Sequence, residues 1–388
     1  MGASATVEAP SPRRLGQIKG FDGVRGIALV IVLVSHLEVI LPIATFLVVP
    51  GGTVALDSFF VLSGFLITAL LLREQAETGK IRKWAFYRRR ILRLLPALLV
   101  VLVADLVFWA ATAGWPPTEL PSILSVAGYY SNYYVAASPN VFCANLAPGL
   151  QHLWSLSFEE QFYTVWPWVT VLALSATRRL RTVVVVTVAL IVLVAVHRAI
   201  EFHSVAQWCA LFHRTDTRAD SILWGALLAH VWTRRREPTR GVRIAATGAL
   251  AFLVFCLPFT TTTGRFLYFG GFDAIDASCA VILLAILQRR WWAHFAFDAR
   301  LFVALGERSY GIYLWHLPIY YAIARYDASW SYVLRVVVGM GGSILMGSLS
   351  WAFLERPLLR LKARLETRDR TRAEKHTLVG SEPQTTGA

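Results

Sequence analysis

Apolar positions in this chain neither alternate nor form a one-sided helical stripe. They come in runs of about twenty residues that are apolar all round, separated by short polar stretches rich in arginine. Such runs are long enough to cross a bilayer as helices, and a soluble chain would break them with a polar face. The pattern predicts ten membrane helices, over 25–46, 53–72, 91–113, 151–174, 182–200, 217–233, 243–260, 267–288, 302–324 and 332–354. The first run carries Arg25 at its edge and His36 inside it, and it continues through Leu47 with only Glu38 charged. Residues eleven apart are separated by about three helical turns, so Arg25 and His36 are expected on one face, at depths roughly 16 Å apart. An ionisable group inside a membrane is costly and marks a functional site by default; the plainer reading is a histidine bonded to a neighbouring helix.

Composition agrees with a polytopic membrane protein. The 388 residues are 56% hydrophobic and only 16% charged, and the mean hydropathy is +0.53. The net charge of +14 raises the thought of nucleic acid, but the placement of the basic residues explains it otherwise. Connections 73–90, 178–181, 234–243 and 289–300 and the tail from 356 are rich in Lys and Arg, while 47–52, 114–150, 261–266 and 325–331 hold only Arg265 and Arg325. That alternation is the positive-inside pattern, which places both termini in the cytoplasm and leaves no nucleic-acid partner to invoke. Residues 1–20, with Pro10, Pro12, Arg13, Arg14 and Lys19, read as a disordered cytoplasmic leader, 21–357 as one membrane domain, and 358–388 as a charged, largely disordered cytoplasmic tail. The outer connection 114–150, rich in Pro, Tyr and Asn, is long enough to cap a site.

Candidate chemistry sorts by depth. Asp57 opens the second helix near the expected depth of His36, where a carboxylate would hold the imidazole's tautomer. Ser63 and Gly64 form a small-residue surface, read first as helix packing and second as a nucleophile. Arg88, Arg89, Arg90 and Arg93 begin the third helix; the first two read as topological anchors, while Arg90 and Arg93 share a face near the depth of Arg25 and suit phosphates. His152 falls at the outer surface. Glu159 and Glu160 lie about 12 Å down the fourth helix; Glu159 shares a face with Tyr163, and Glu160 points toward another helix. Asp216, Arg218 and Asp220 form either a local ion-pair network or a substrate site. Tyr310, Tyr313 and His316 climb the ninth helix, and Glu355 reads as the partner of a cytoplasmic arginine. The four cysteines form no metal motif, and no metal is expected; Cys143 and Cys209 fall in outer connections, as two free thiols or as one disulfide.

Six segments in order resemble the acyltransferase-3 family of membrane O-acyltransferases: FDGVRGIALVIVLVSHL, DSFFVLSGFLITALLLRE, FYRRRILRLLPA, HLWSLSFEEQFYTVWP, RTDTRADSILWGALLA and SYGIYLWHLPI. They cover about residues 20–357. The family's arginine–ten residues–histidine signature falls on Arg25 and His36, its RxxR on Arg90 and Arg93, and its serine–glycine–phenylalanine on Ser63, Gly64 and Phe65. Many relatives carry a fused extracytoplasmic hydrolase-like domain, and this sequence contains none.

The resemblance implies an all-α enzyme of a bacterial cytoplasmic membrane. It would move a short acyl group from cytoplasmic acyl-CoA, a co-substrate rather than a bound cofactor, to a hydroxyl of an extracytoplasmic or membrane-associated carbohydrate or glycolipid, or of a small metabolite such as a macrolide. His36 would be the general base, a role that requires a pKa near the working pH. Asp57 or Glu159 would orient it, and Arg25, Arg90 and Arg93 would hold the CoA phosphates. Ser63, Tyr163, Asp216, Arg218, Tyr310 and His316 would contact substrate or the oxyanion. The rivals are a transporter of an envelope precursor, whose buried charges line its path, and a non-catalytic scaffold.

Overall fold

The computed structural model describes residues 18–41, 51–112, 119–138, 143, 145–177, 180–234, 239–326 and 329–360, without the side chains of 175–177, 180, 233 and 234. The expected leader up to residue 17, the stretch 42–50 that contains Leu47, and the tail from 361 lie outside the described residues. All regular elements described are helical, as expected where lipid offers the backbone no hydrogen-bond partner. The α-helices are α1 Lys19–Ser35, α2 Gly52–Thr78, α3 Lys83–Thr112, α4 Glu119–Ala127, α5 Ser131–Ala136, α6 Trp154–Thr177, α7 Leu180–Glu201, α8 Trp208–His213, α9 Ala219–Arg234, α10 Arg240–Cys256, α11 Phe272–Gln288, α12 His294–Phe297, α13 Arg300–Glu307, α14 Ser309–Tyr326 and α15 Tyr332–Ser350. Among the described residues, six helical stretches are long and apolar enough to cross a membrane: Lys19–Val39, Gly52–Thr78, Lys83–Thr112, Arg181–Glu201, Leu267–Gln288 and Tyr332–Arg360. The other four expected spans correspond to α6, α9, α10 and the α13–α14 pair.

The first span ends earlier than its hydropathy predicts. α1 stops at Ser35, and His36 opens a 3-10 turn, His36–Val39. The carbonyls of the last helical turn are taken by side chains. Ser35 Oγ and His36 Nδ1 both donate to the Val32 oxygen at 2.9 Å, and the Tyr320 hydroxyl donates to the Leu33 oxygen at 3.2 Å. Side chains that bond local carbonyls in this way compete with helix propagation. From α15, Arg335 donates to the Ile40 oxygen and fixes the turn. The expected ninth helix is likewise broken, at Arg308, into α13 and α14.

Connection 114–150 contributes regular structure through its described residues. It forms α4, α5 and a 3-10 segment, Pro148–Leu153, that runs straight into α6. Cys143 and Cys209 are bridged, with Cα atoms 5.8 Å apart, which overturns the free-thiol alternative and ties this connection to α8. Gln161 on α6 reinforces the tie by donating to the Tyr129 oxygen and to Asn132 Oδ1, both at 2.8 Å.

α2 and α9 pack backbone to backbone where Gly64 faces Ile222 and Gly225 faces Val61; a Cβ at either glycine would run into the facing carbonyl oxygen. Close approach over small residues is how helices associate where the solvent is as apolar as their side chains. The packing role read for Gly64 therefore holds, and it aims the neighbouring Ser63 at α6.

Candidate active site

α6 and α14 pass each other, and each carries polar groups at two levels. At one level lie three imidazoles. His36 Nδ1 is 2.9 Å from the Val32 carbonyl, and a carbonyl only accepts, so this nitrogen carries the proton and Nε2 holds the free lone pair. His316 is fixed in the same sense: its Nδ1 donates to the Tyr313 oxygen at 2.6 Å. The His316 Nε2 lone pair then faces His36 Nδ1 at 3.4 Å. His152 packs its ring 4.6 Å from that of His316 and 4.8 Å from that of Tyr313. It is buried, and among the described residues neither of its ring nitrogens has a hydrogen-bond partner. Tyr313 locks the level together, its hydroxyl donating to the His152 carbonyl at 2.6 Å and lying 2.7 Å from Ser155 Oγ.

One to two turns along the same helices lies a second cluster. Glu159 Oε1 accepts from Ser63 at 3.2 Å and its Oε2 from Tyr163 at 2.9 Å, so one carboxylate joins α2 to α6. Glu160 does meet another helix: its Oε1 accepts from Arg90 at 2.7 Å. The Arg90 guanidinium lies 3.5 Å from the centre of the Tyr163 ring. Arg25 is engaged by Asp22 at 2.7 Å. Arg93 is exposed and makes no hydrogen bond or ion pair among the described residues; its charged neighbours are Arg25, Arg90 and Glu355. Glu355 accepts from Ser350 at 3.4 Å and is a charged neighbour of Arg93 rather than its ion-pair partner. The Tyr310 hydroxyl donates to the Leu94 oxygen at 2.7 Å, so it is committed to α3.

Three expected site residues stand elsewhere. Asp57 does not reach His36: it is completely buried in an ion pair with Arg218, whose guanidinium lies 3.5 Å from the centre of the Phe272 ring. The pair belongs to a larger buried network in which Arg198 bonds Asp220 at 2.5 Å and Asp273 at 2.8 Å. Of the two readings weighed for Asp216, Arg218 and Asp220, the network is the one observed. Asp216 lies outside it, bonded by Arg214 and by His197 at 3.0 Å. Burial alone would raise the Asp216 carboxyl, but the hydrogen bonds from Arg214 and His197 outweigh it and hold the group below the usual carboxylate range. Beside the disulfide, burial pushes His213 down to about 4. Glu159 is likewise no partner of His36, both its oxygens being used by Ser63 and Tyr163. The neighbour the sequence did not assign to His36 is His316, and the sequence signal for His152 and Ser155, three apart in HLWS, was their shared helical face.

Residues 18–353 match the acyltransferase-3 family, described as an acyltransferase domain. The chain belongs to the acyltransferase-3 family. Among curated relatives it is 31% identical to the provisionally named O-acetyltransferase SACOL0978 of Staphylococcus aureus, over 89% of this chain and 58% of that protein. It is 31% identical to the provisionally named peptidoglycan O-acetyltransferase YrhL of Bacillus subtilis, over 88% and 55% of the two chains. Against the O-acetyltransferase OatA of S. aureus the identity is 29%, over 90% and 58%. The acyltransferase-3 chain thus spans less than three fifths of the length of these relatives. No solved structure matches it.

Proposed function

We propose that this acyltransferase-3 protein is an O-acyltransferase that moves a short acyl group, acetyl being the simplest, from acyl-CoA to a hydroxyl of a cell-envelope carbohydrate. The names of its relatives support peptidoglycan or another envelope glycan as acceptor. The observation that carries the reading is the tautomer of His36. With Nδ1–H committed to Val32 and facing His316, Nε2 is left as a base inside a membrane domain.

In the step itself, Nε2 of His36 removes the acceptor's hydroxyl proton as the oxygen attacks the thioester carbonyl. A C–O bond forms and the C–S bond breaks. The thiolate of CoA leaves and recovers a proton, directly from the imidazolium or through water. His316 supports the imidazolium through its Nε2 lone pair, taking the orienting role expected of Asp57 or Glu159. Arg93, whose guanidinium is uncommitted, is the first contact for a CoA phosphate, with Arg25 and Arg90 adding charge from behind their carboxylate partners. Bidentate guanidinium contacts suit such an anion. On this reading the chain crosses the cytoplasmic membrane of a bacterium ten times with both termini in the cytoplasm, so donor and acceptor approach from opposite sides.

The hydrogen bond from Ser63 to Glu159 favours a second route, in which Ser63 is acylated first and the carboxylate takes its proton. Incubating the purified protein with radiolabelled acetyl-CoA and peptidoglycan fragments tests the proposal. Label in an alkali-labile ester on the glycan supports it, and acid-stable label on Ser63 before acceptor is added selects the second route. Cargo that is bound but returned unchanged makes the protein a transporter.

A further inference from the structure

Between α1, α2, α10, α11 and the segment Trp292–Phe297 lies an apolar cavity of about 260 Å³ that the transfer reaction does not use. Ala28 and Ile31 of α1, Val54 of α2, Leu253 of α10 and Ile282 of α11 form its walls. Ser58 and Cys279 are the polar side chains in the lining, and they satisfy each other: Ser58 Oγ donates to the Val54 oxygen at 2.8 Å and lies 3.4 Å from Cys279 Sγ. Water entering the space would find no partner. A hole this large left empty would forfeit the contacts of every side chain around it, whereas hydrocarbon fills it without loss. The mouth opens on the outer surface of the helix bundle, where Val254 is 57% and Trp292 62% exposed. In a membrane protein that surface meets lipid chains.

One end of the cavity is strongly basic. Trp292, which lines it, and Trp291 both donate their indole N–H groups to Thr247 of α10, pinning the segment after α11 against the start of α10. This brings Arg240 and Arg243 of α10 to the same end as Arg289 and Arg290. All four are exposed, and no ion pair among the described residues involves any of them. Indole rings at the polar boundary, guanidinium groups just beyond it and a hydrocarbon slot below are complementary to a lipid with an anionic head group. We propose that the cavity binds one acyl chain of an anionic phospholipid, its phosphate held by arginines of the 240–243 and 289–290 clusters. The lipid would lie along α1, the helix that carries Arg25 and His36. The inference rests on residence in a bilayer and stands or falls independently of acyl transfer.

The full-length chain, purified in detergent and stripped of lipid, is titrated with palmitoyl-oleoyl phosphatidylglycerol and, separately, with the matching phosphatidylcholine, and bound lipid is counted by native mass spectrometry. One phosphatidylglycerol should be retained in preference to phosphatidylcholine, and the double variant Arg289→Gln/Arg290→Gln should lose roughly fivefold in affinity per arginine removed. Phosphatidylglycerol carrying a diazirine on its acyl chain should cross-link the unaltered protein at peptides containing Val254, Ile282 or Trp292. That arm needs no variant to fold. Equal retention of the two lipids, or cross-links spread over lipid-facing residues of α7 and α15 with none at the cavity, would overturn the proposal and leave only annular lipid.

Discussion

His316 Nε2 stands 3.4 Å from His36 Nδ1, although the two residues are 280 positions apart in the chain. Each imidazole donates its Nδ1 proton to a backbone carbonyl of its own helix, Val32 for His36 and Tyr313 for His316. The tautomers are therefore set by main chain, and the pair is directional: protonation of His36 at Nε2 strengthens its Nδ1–H bond to His316. A carboxylate in that position would place a fixed negative charge in the membrane, whereas a neutral imidazole does the same orienting work without one.

Removing His36 should cost the rate enhancement of a general base, roughly 10²–10⁴-fold in kcat, with the protein still folded. His316→Ala should lower kcat by less and leave KM for acyl-CoA unchanged, and His316→Gln, which keeps an acceptor, should recover part of the loss. Steady-state kinetics on membranes with matched protein levels separates these outcomes. Equal activity of the two His316 variants would deny His316 its positioning role.

Arg93 and Arg90 should behave differently. Arg93 makes no ion pair among the described residues, so Arg93→Ala should weaken acyl-CoA binding by about 1.5–3 kcal/mol, the worth of a charge-assisted bond, with little change in melting temperature. Arg90→Ala also strands Glu160, and it should lose both affinity and stability. Binding measured with a non-hydrolysable acyl-CoA analogue, beside a thermal unfolding curve, reads both quantities; unchanged affinity in Arg93→Ala makes that residue a topological anchor only.

Asp57 and Arg218 should matter for folding rather than for turnover. Breaking a fully buried pair from one side costs about 3–5 kcal/mol, because the other charge is left without compensation. Arg218→Met should therefore melt well below the wild type, and Asp57→Asn/Arg218→Met should regain part of the difference. Activity per folded molecule in the double variant should stay close to wild type; its loss would return Asp57 to the catalytic set.

Reduction should loosen the tie between the 114–150 connection and α8. The bridge between Cys143 and Cys209 closes a loop of 66 residues, and opening it should lower stability by about 2–4 kcal/mol. Thiol labelling of the denatured protein should find Cys256 and Cys279 before reduction and all four cysteines after it. Four labelled cysteines without reductant would contradict the bridge.

Stability should also respond to pH through α4. Glu119, buried on α4, is pushed up to about 8 by burial and then by the neighbouring Asp105 of α3, from an ordinary 4.5. The unfolded chain gives up this proton first, so between about pH 4.5 and 8 the folded state binds more protons and is destabilised as pH rises. The melting temperature should fall across that window, and Glu119→Gln should flatten the profile there. A wild-type curve level over the same range would remove Glu119 as its cause.

Apolar runs of about twenty residues were enough by themselves to mark a helical, multi-pass chain, and six of them are helices long and apolar enough to cross a membrane among the described residues. Length against bilayer thickness and the backbone's demand for internal hydrogen bonds admit few alternatives. The same all-round apolarity carries no information about how each helix is turned on its axis, so nothing local could say that Asp57 faces Arg218, 161 positions away, and not His36. The early end of α1 was equally hidden, because it depends on a hydroxyl from Tyr320 reaching the Leu33 carbonyl across the bundle. Partner choice among buried polar groups is decided by which faces of distant helices meet, and glycine contacts such as Gly64 on Ile222 set those meetings. The sequence determined which residues carry charge inside the membrane; only the packing decided that His36 is held by an imidazole and a carbonyl, and that the carboxylates near it serve Ser63, Tyr163 and the arginines instead.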